Sequence, residues 1–235
     1  MTKTVLLATA AVLALTVGGA SAGGVSVSTK GMNRVAHKID RNSTDRAAAV
    51  LYDQHGTDSG IGIVSQNFES SFDAYDAQAA DDFNVGAGHL WLVKEVDATG
   101  VYFGSGVGPA ASETVTFYKD ANGHPGKVIN SATVTGTDNF GSFTIKLKHD
   151  DATKLNGGKG KNGKTFWVSV VADLDFTATG GSEWGWENQT TTVGNPAQWQ
   201  NPGGGFGVCP TWDDENVCIA DGQGDHMFTL RGKDL

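Results

Sequence analysis

Residues 158–176 read GKGKNGKTFWVSVVADLDF, and two opposite readings of this stretch lead to two different folds. The first eight residues satisfy G-x-x-x-x-G-K-T, and Gly158, Gly160 and Gly163 also satisfy G-x-G-x-x-G. Both phosphate-binding motifs work only where a strand enters the loop and a helix leaves it, because the phosphate sits on the free amides of a helix N-terminus. What leaves this loop has a period of two. Phe166, Val168, Val170, Ala172, Leu174 and Phe176 share one face, as a half-buried strand requires. The loop is therefore expected to be a basic hairpin connection, and a nucleotide is not an expected ligand.

The same period recurs along the chain. In SFTIKLK, Phe143, Ile145 and Leu147 oppose Thr144, Lys146 and Lys148, and in HMFTLRG, His226, Phe228 and Leu230 oppose Met227, Thr229 and Arg231. Such alternation is the mark of antiparallel sheets with one face buried. His226 falls on an apolar face and is expected to be a hydrogen-bonded core residue. Asn122-Gly123, between Ser112–Asp120 and Lys127–Thr135, is a strong hairpin signal. Gly136–Asn139 then turns the chain into Phe140–Lys148, which predicts a three-stranded meander. Further strands are expected near 61–65, 82–86, 89–103, 165–176, 183–188 and 225–232, about nine in all. Only Ser43–Gln54 reads as helical, with Ser43 as N-cap. With 33 glycines and 5 prolines punctuating the strands, the expected fold is all-β, an antiparallel jelly-roll-like β-sandwich.

Residues 1–22 read as a secretory signal: Lys3, an apolar run from Val5 to Val17, and Ala20-Ser21-Ala22 for cleavage. The run is too short to span a bilayer, and no later segment is apolar enough to do so. Residues 23–50 form a polar basic arm with Lys30, Arg34, Lys38, Arg41 and Arg46 against Asp40 and Asp45, and residues 51–235 form the sandwich domain. The full chain carries a net charge of −9, and both the signal and the arm are net positive. The domain alone is therefore more acidic still and repels phosphate backbones, which makes nucleic acid a poor partner. In an oxidising compartment the two cysteines, Cys209 and Cys218, are expected to pair. Closing so short a loop stabilises by roughly 2–3 kcal/mol in the chain-entropy model.

Motifs of catalysis are sparse. There is no G-x-S-x-G elbow and no H-E-x-x-H, and the six histidines lack ligand spacing. Acidic stretches are the metal candidates. FDAYDAQAADDF holds Asp73, Asp76, Asp81 and Asp82, and ADGQGDHMF holds Asp221 and Asp225. Calcium takes six to eight oxygen ligands that carboxylates on flexible loops can supply, so Asp81, Asp82, Asp221 and Asp225 are the expected set for a structural calcium. Four of the six tryptophans fall at 184, 186, 199 and 212. In EWGWENQ (183–189), Glu183 and Glu187 sit roughly 13 Å apart along a strand, beyond the roughly 5–9.5 Å of glycosidase carboxylate pairs. Alternation sends Trp184 and Trp186 to the opposite face, where they are expected to fill the core. Trp199 and Trp212, on expected loops beside Asn195, Gln198 and Gln200, are left as the sugar-stacking site, with amides to bond hydroxyls.

YDAQAADDF, GHPGKVI, EWGWEN and DHMFTLRG together resemble bacterial exported β-sandwich domains with an A-D-D-F strand, a Pro-Gly hairpin, a W-x-W strand and a closing F-x-L-x-G strand. The resemblance spans about residues 50–233. It implies a fold and brings no catalytic residues. The expected function is non-catalytic binding of an extracellular surface or polysaccharide through the loop aromatics. Two alternatives are an extracellular hydrolase using Asp81 or Asp82 and a structural component of an extracellular coat or filament.

Overall fold

The computed structural model describes residues 48–220 and 224–235. The expected signal, most of the basic arm, Ser43 and Asp221 lie outside the described residues. In chain order the strands are β1 (Ala49–Gln54), β2 (Asp58–Val64), β3 (Gln66–Asn67), β4 (Gln78–Val85), β5 (Leu90–Ala98), β6 (Gly100–Gly104), β7 (Ser112–Asp120) and β8 (Pro125–Val134). They continue as β9 (Thr137–Asn139), β10 (Ser142–Lys146), β11 (Thr153–Asn156), β12 (Lys164–Asp173), β13 (Ser182–Gln189), β14 (Gln198–Gln200), β15 (Asp213–Asp214) and β16 (Phe228–Asp234). A 3₁₀ segment, Ser70–Tyr75, and one helical turn, α1 (Glu215–Cys218), complete the described elements. None of the described helices is long and apolar enough to cross a membrane.

Three sheets form the antiparallel sandwich. One runs β1-β16-β5-β10-β9, with β11 also on β5; a second runs β15-β14-β4-β12-β7-β8; a third runs β2-β13-β6. Among the named strands, β3 on β12 is a parallel pair. The set expected to face the core from β12 does so: Phe166, Val168, Val170, Ala172 and, just beyond the strand, Leu174 are buried, while Phe176 is only partly so. Trp167, Ser169 and Val171 of the opposite face are buried too, so the strand is covered on both faces and not half-buried. Phe166, Val168, Val170, Ala172 and Leu174 join Phe143, Ile145, Phe228 and Leu230 of the first sheet in one core. Phe83 on β4 is the hub between sheets, with its ring near Trp91 (6.3 Å), Phe228 (6.3 Å), Phe117 (6.4 Å) and Phe166 (6.2 Å).

The W-x-W strand closes one end of this core. Trp184 and Trp186 are fully buried, as the alternation of EWGWENQ requires, with Trp184 stacked on Phe143 at 4.8 Å. Each indole N–H finds a carbonyl, Trp184 on Gly141 (2.7 Å) and Trp186 on Met227 (3.0 Å), as buried tryptophans need. His226 is buried as expected. Its ring lies flat on Trp186 at 4.5 Å, and Nε2 is 2.9 Å from Glu215 Oε2.

Local signals hold at the turns. Asn122 and Gly123 both have positive φ (60° and 85°), the requirement of the two-residue turn that joins β7 to β8. Gly163 (φ 72°) ends the lysine-rich loop, where an added Cβ would meet Val85 O at 2.2 Å. The loop then leads into β12 and not into a helix.

Three expectations fail, each through tertiary pairing. The meander does not continue past β8: β10 pairs with β9 and β5 in the other sheet. The crossover is pinned where Gly136 N donates to the buried Glu113 carboxylate at 2.6 Å. The single strand expected over 89–103 is split between sheets as β5 and β6. Ala49–Gln54 is a strand on β16 and not a helix. Weak helix propensity loses there to the packing of Tyr52 on Phe83 and Phe228 (5.8 and 5.5 Å). The roughly nine strands expected become sixteen among the described residues, because short pairing segments such as β3, β14 and β15 carry no periodicity of their own.

Phe83→Ala should lower the unfolding free energy by about 3–5 kcal/mol, measured by denaturant titration. A cost below about 1 kcal/mol would contradict its place as the hub of the core.

Candidate functional site

Where β4, β12 and β7 send one set of side chains inward, the other set forms an outer face. Gln78, Ala80 and Asp82 stand on it from β4, then Trp167, Ser169, Val171 and Asp173 from β12, and Thr114, Thr116 and Tyr118 from β7. The register fixes their rows: Ser169 pairs with Ala80 on one side and Thr116 on the other, Trp167 with Tyr118, and Val171 with Thr114. On the far side, β8 adds hydroxyls. Thr114 and Thr133 lie 2.8 Å apart at Oγ1, and Thr116 and Ser131 are hydrogen-bonded at the same distance.

One end of this face is a groove of about 350 Å³, lined by Gln78, Thr114, Thr116, Thr133, Asp76 and Asp173 among others. The other end is aromatic. Trp212 lies edge-on to Tyr118 at 5.9 Å and 78°, beside Trp167 and Ala80. Trp167 Nε1 donates to Asp120 at 3.0 Å. Thr116 and Tyr118 are two residues apart on one strand, so groove and aromatic patch adjoin at about 7 Å. Hydroxyls, amides and carboxylates beside a half-buried tryptophan can bond sugar hydroxyls and stack on apolar C–H faces.

The expected aromatic site is only partly of this kind. Trp212 is half-buried on the outer face. Trp199 is not on a loop surface. It sits on β14, is 1% exposed, gives its Nε1 proton to Val64 O at 2.8 Å and packs on Phe206. The reason is the pairing of β14 with β4: alternation turns Trp199 inward and Gln198 and Gln200 outward. Gln200 reaches the groove wall, with Nε2 donating to Gln78 Oε1 at 2.8 Å. Gln198 is buried between His124 and Asp214, 2.6 Å from each. Asn195 donates both its backbone N–H and Nδ2 to Asp82 (3.1 and 2.8 Å). Gln198 spends both side-chain groups within the fold, whereas Asn195 spends its Nδ2 there and its Oδ1 takes no hydrogen bond among the described residues. Cys209 and Cys218 form a disulfide, closing the loop that carries Trp212.

The fold does bring Asp81, Asp82 and Asp225 together, but as acceptors of N–H groups. Asp81 faces the core, taking Gln54 Nε2 (2.8 Å), His226 N (2.6 Å) and Asp82 N (2.7 Å). Asp225 takes Val193 N (2.5 Å) and Ala197 N (3.2 Å). Donors aimed at these oxygens repel a cation, and among the described residues no three His, Cys, Asp or Glu side chains are grouped to hold a metal. The calcium expectation therefore loses these three ligands, and Asp221 lies outside the described residues. The hydrolase alternative loses its acids as well, because Asp81 and Asp82 are buried with their oxygens engaged.

Burial raises all three carboxyls. Asp81 is pushed well above the usual range by desolvation and then by Asp225 and Asp82. Asp225 rises to about 7 and Asp82 to about 6, each mainly by desolvation. Their role is to pin residues 193–197 to β4 and to the start of the last strand.

The groove residues themselves are new. Thr114, Thr116 and Tyr118 were visible in SETVTFYKD as the polar side of an alternation, but only the strand order makes them neighbours of Gln78 and Asp173. No family model, curated protein or solved structure matches the chain.

Because the folded state holds protons that the unfolded chain releases near the ordinary aspartate pKa, stability should fall as pH rises from about 4 through about 6 and about 7, where Asp82 and Asp225 lose theirs in the folded chain, with Asp81 adding to the fall in the same direction. Thermal unfolding should give a lower Tm at about pH 8 than at about pH 5, with the slope flattened in Asp225→Asn. A Tm that rises across that interval would contradict the buried acid cluster.

Proposed function

We propose that the chain is an exported, non-catalytic β-sandwich that binds an extracellular polysaccharide across the outer face of the β4-β12-β7-β8 sheet. The observation that carries the reading is the groove of about 350 Å³ walled by threonine, glutamine and aspartate, with the half-buried Trp212 further along the same face, packed edge-on over the buried Tyr118. A glycan needs many weak polar contacts spread along a length, together with an aromatic edge for its C–H faces. This face offers both on one rigid sheet, which limits the entropy cost of binding. The expected signal at residues 1–22 and the Cys209–Cys218 disulfide support export. Kinship with the exported β-sandwich domains is part of the same proposal, supported by the buried W-x-W strand and the closing β16.

The reading moves the binding site from the 195–213 aromatics to the sheet face, keeping Trp212 and Gln200 and leaving out Trp199. The two tryptophans should accordingly separate in experiment. Trp212→Ala should weaken retention on insoluble polysaccharide about tenfold, corresponding to an aromatic contact worth about 1–1.5 kcal/mol, with little change in Tm. Trp199→Ala should instead lower stability by about 3–5 kcal/mol. Retention unchanged in both Trp212→Ala and Thr116→Val would remove the sheet face as the site.

A further inference from the structure

The chain makes the same tight turn twice and fills it differently. Between β7 and β8 the central residues are Asn122 and Gly123 (φ 60° and 85°), and between β9 and β10 they are Phe140 and Gly141 (φ 54° and 99°). Both turns need positive φ at two successive residues, which Asn and Gly supply and a bulky side chain resists. Phe140 is also 92% exposed, so its ring adds nothing to the core. A backbone outlier that the fold does not explain points to a partner. The tip is braced from beneath. Gly141 N donates to Asp138 Oδ1 (2.8 Å), and the Tyr102 hydroxyl donates to Asp138 Oδ2 (2.7 Å) while accepting Ala110 N (2.8 Å). The last of these bonds ties the loop 105–109 to the same end of the sandwich, where Val107 is 73% exposed.

A complementary hollow lies at the diagonally opposite corner of the first sheet. It has a volume of about 340 Å³ and is lined by Ala49, Val50, Leu51, Trp91, His89 and Asp234 among others. Val50 is 53% exposed there, and Asp234 is held by His89. Trp91 begins β5, whereas Phe143, which follows the tip, pairs with Ala98 at the end of β5, roughly 23 Å along the strand. Sheet order adds three strand spacings between β1 and β10, about 14 Å across. A chain cannot reach its own hollow, so a ring that enters it comes from another molecule. Charge identifies that molecule. Residues 100–113, 134–145 and 175–183 build the end that carries Phe140, and they hold Asp138, Asp175, Glu183 and the buried Glu113 but no lysine, arginine or histidine. Residues 86–94 and 153–165 build the rim of the hollow, and they hold Lys94, Lys154, Lys159, Lys161 and Lys164 but no acid. The lysine-rich loop is fixed at this rim by Gly88 N on Gly158 O (2.7 Å) and Gly157 N on His89 O (3.0 Å). An aromatic knob with acidic surroundings is what a second copy of this chain presents to a basic rim. We infer that copies associate head to tail, the Phe140 of one seated against Trp91 in the hollow of the next. The two patches differ, so the contact is heterologous and propagates into a filament or a closed ring. It uses the sheet opposite the proposed polysaccharide face and does not rest on that reading.

Sedimentation velocity over a concentration series of the exported chain tests this. The chain should grow past the dimer as its concentration rises, and less so at high salt, which screens the charged rims. Phe140→Asn gives the turn the residue already used at position 122. It should raise Tm and weaken association at least about tenfold, as loss of an aromatic anchor does. Ala49→Arg, at the exposed edge of the hollow, should weaken association as strongly. Mixed together, the two variants supply one intact knob and one intact hollow, and should recover a dimer that grows no further. A chain that stays monomeric throughout would overturn the inference, as would assembly that survives Phe140→Asn. Loss of assembly in Ala49→Arg alone would overturn it too, assigning the hollow to a different occupant. A mixture of the two variants that forms no dimer would overturn the pairing of knob with hollow.

Discussion

Everything in this molecule follows from β12 being paired on both sides, to β4 and to β7. A strand in that position must send one set of side chains to the core, and Phe166, Val168, Val170 and Ala172 meet that demand. The period of two then leaves Trp167, Ser169, Val171 and Asp173 on the opposite face with no choice of direction. The groove is the other half of the alternation that builds the core. A one-residue slip would exchange the two faces, destroying core and groove together.

That constraint also explains which parts could be read from the chain. Strand β12, the Asn122-Gly123 turn, the inward Trp184 and Trp186 and the buried His226 are all legible, because each depends on local periodicity or a local φ requirement. The crossover after β8, the split of residues 90–104 and the strand character of Ala49–Gln54 are not. They depend on partners distant in sequence, such as Glu113 for Gly136 and Phe83 for Tyr52. Trp199 shows the limit most plainly. Its neighbours look like a loop, and only the three-residue pairing of β14 with β4 turns its ring inward.

The acidic residues divide by the same rule. Asp81 alternates with Ala79 and Phe83 and is forced into the core, where it survives by accepting three N–H groups. With Asp82 and Asp225 it fastens residues 193–197 and the start of the final strand. Asp76 and Asp173 line the groove instead, Asp173 accepting from Asn67 and Ser112 and Asp76 accepting from Phe68 through one oxygen. Acids that looked alike in the sequence are thus sorted into structural anchors and groove walls by the face they occupy.

The central claim is that ligand meets the outer face of the β4-β12-β7-β8 sheet. Amide and indole chemical-shift mapping during titration with soluble oligosaccharides cut from a polysaccharide that retains the chain tests it most directly. The account predicts perturbations concentrated at Gln78, Thr114, Thr116, Thr133, Asp173 and the Trp212 indole, with Trp184, Trp186 and Trp199 unmoved. Saturable shifts centred on another surface, with this face silent, would contradict it.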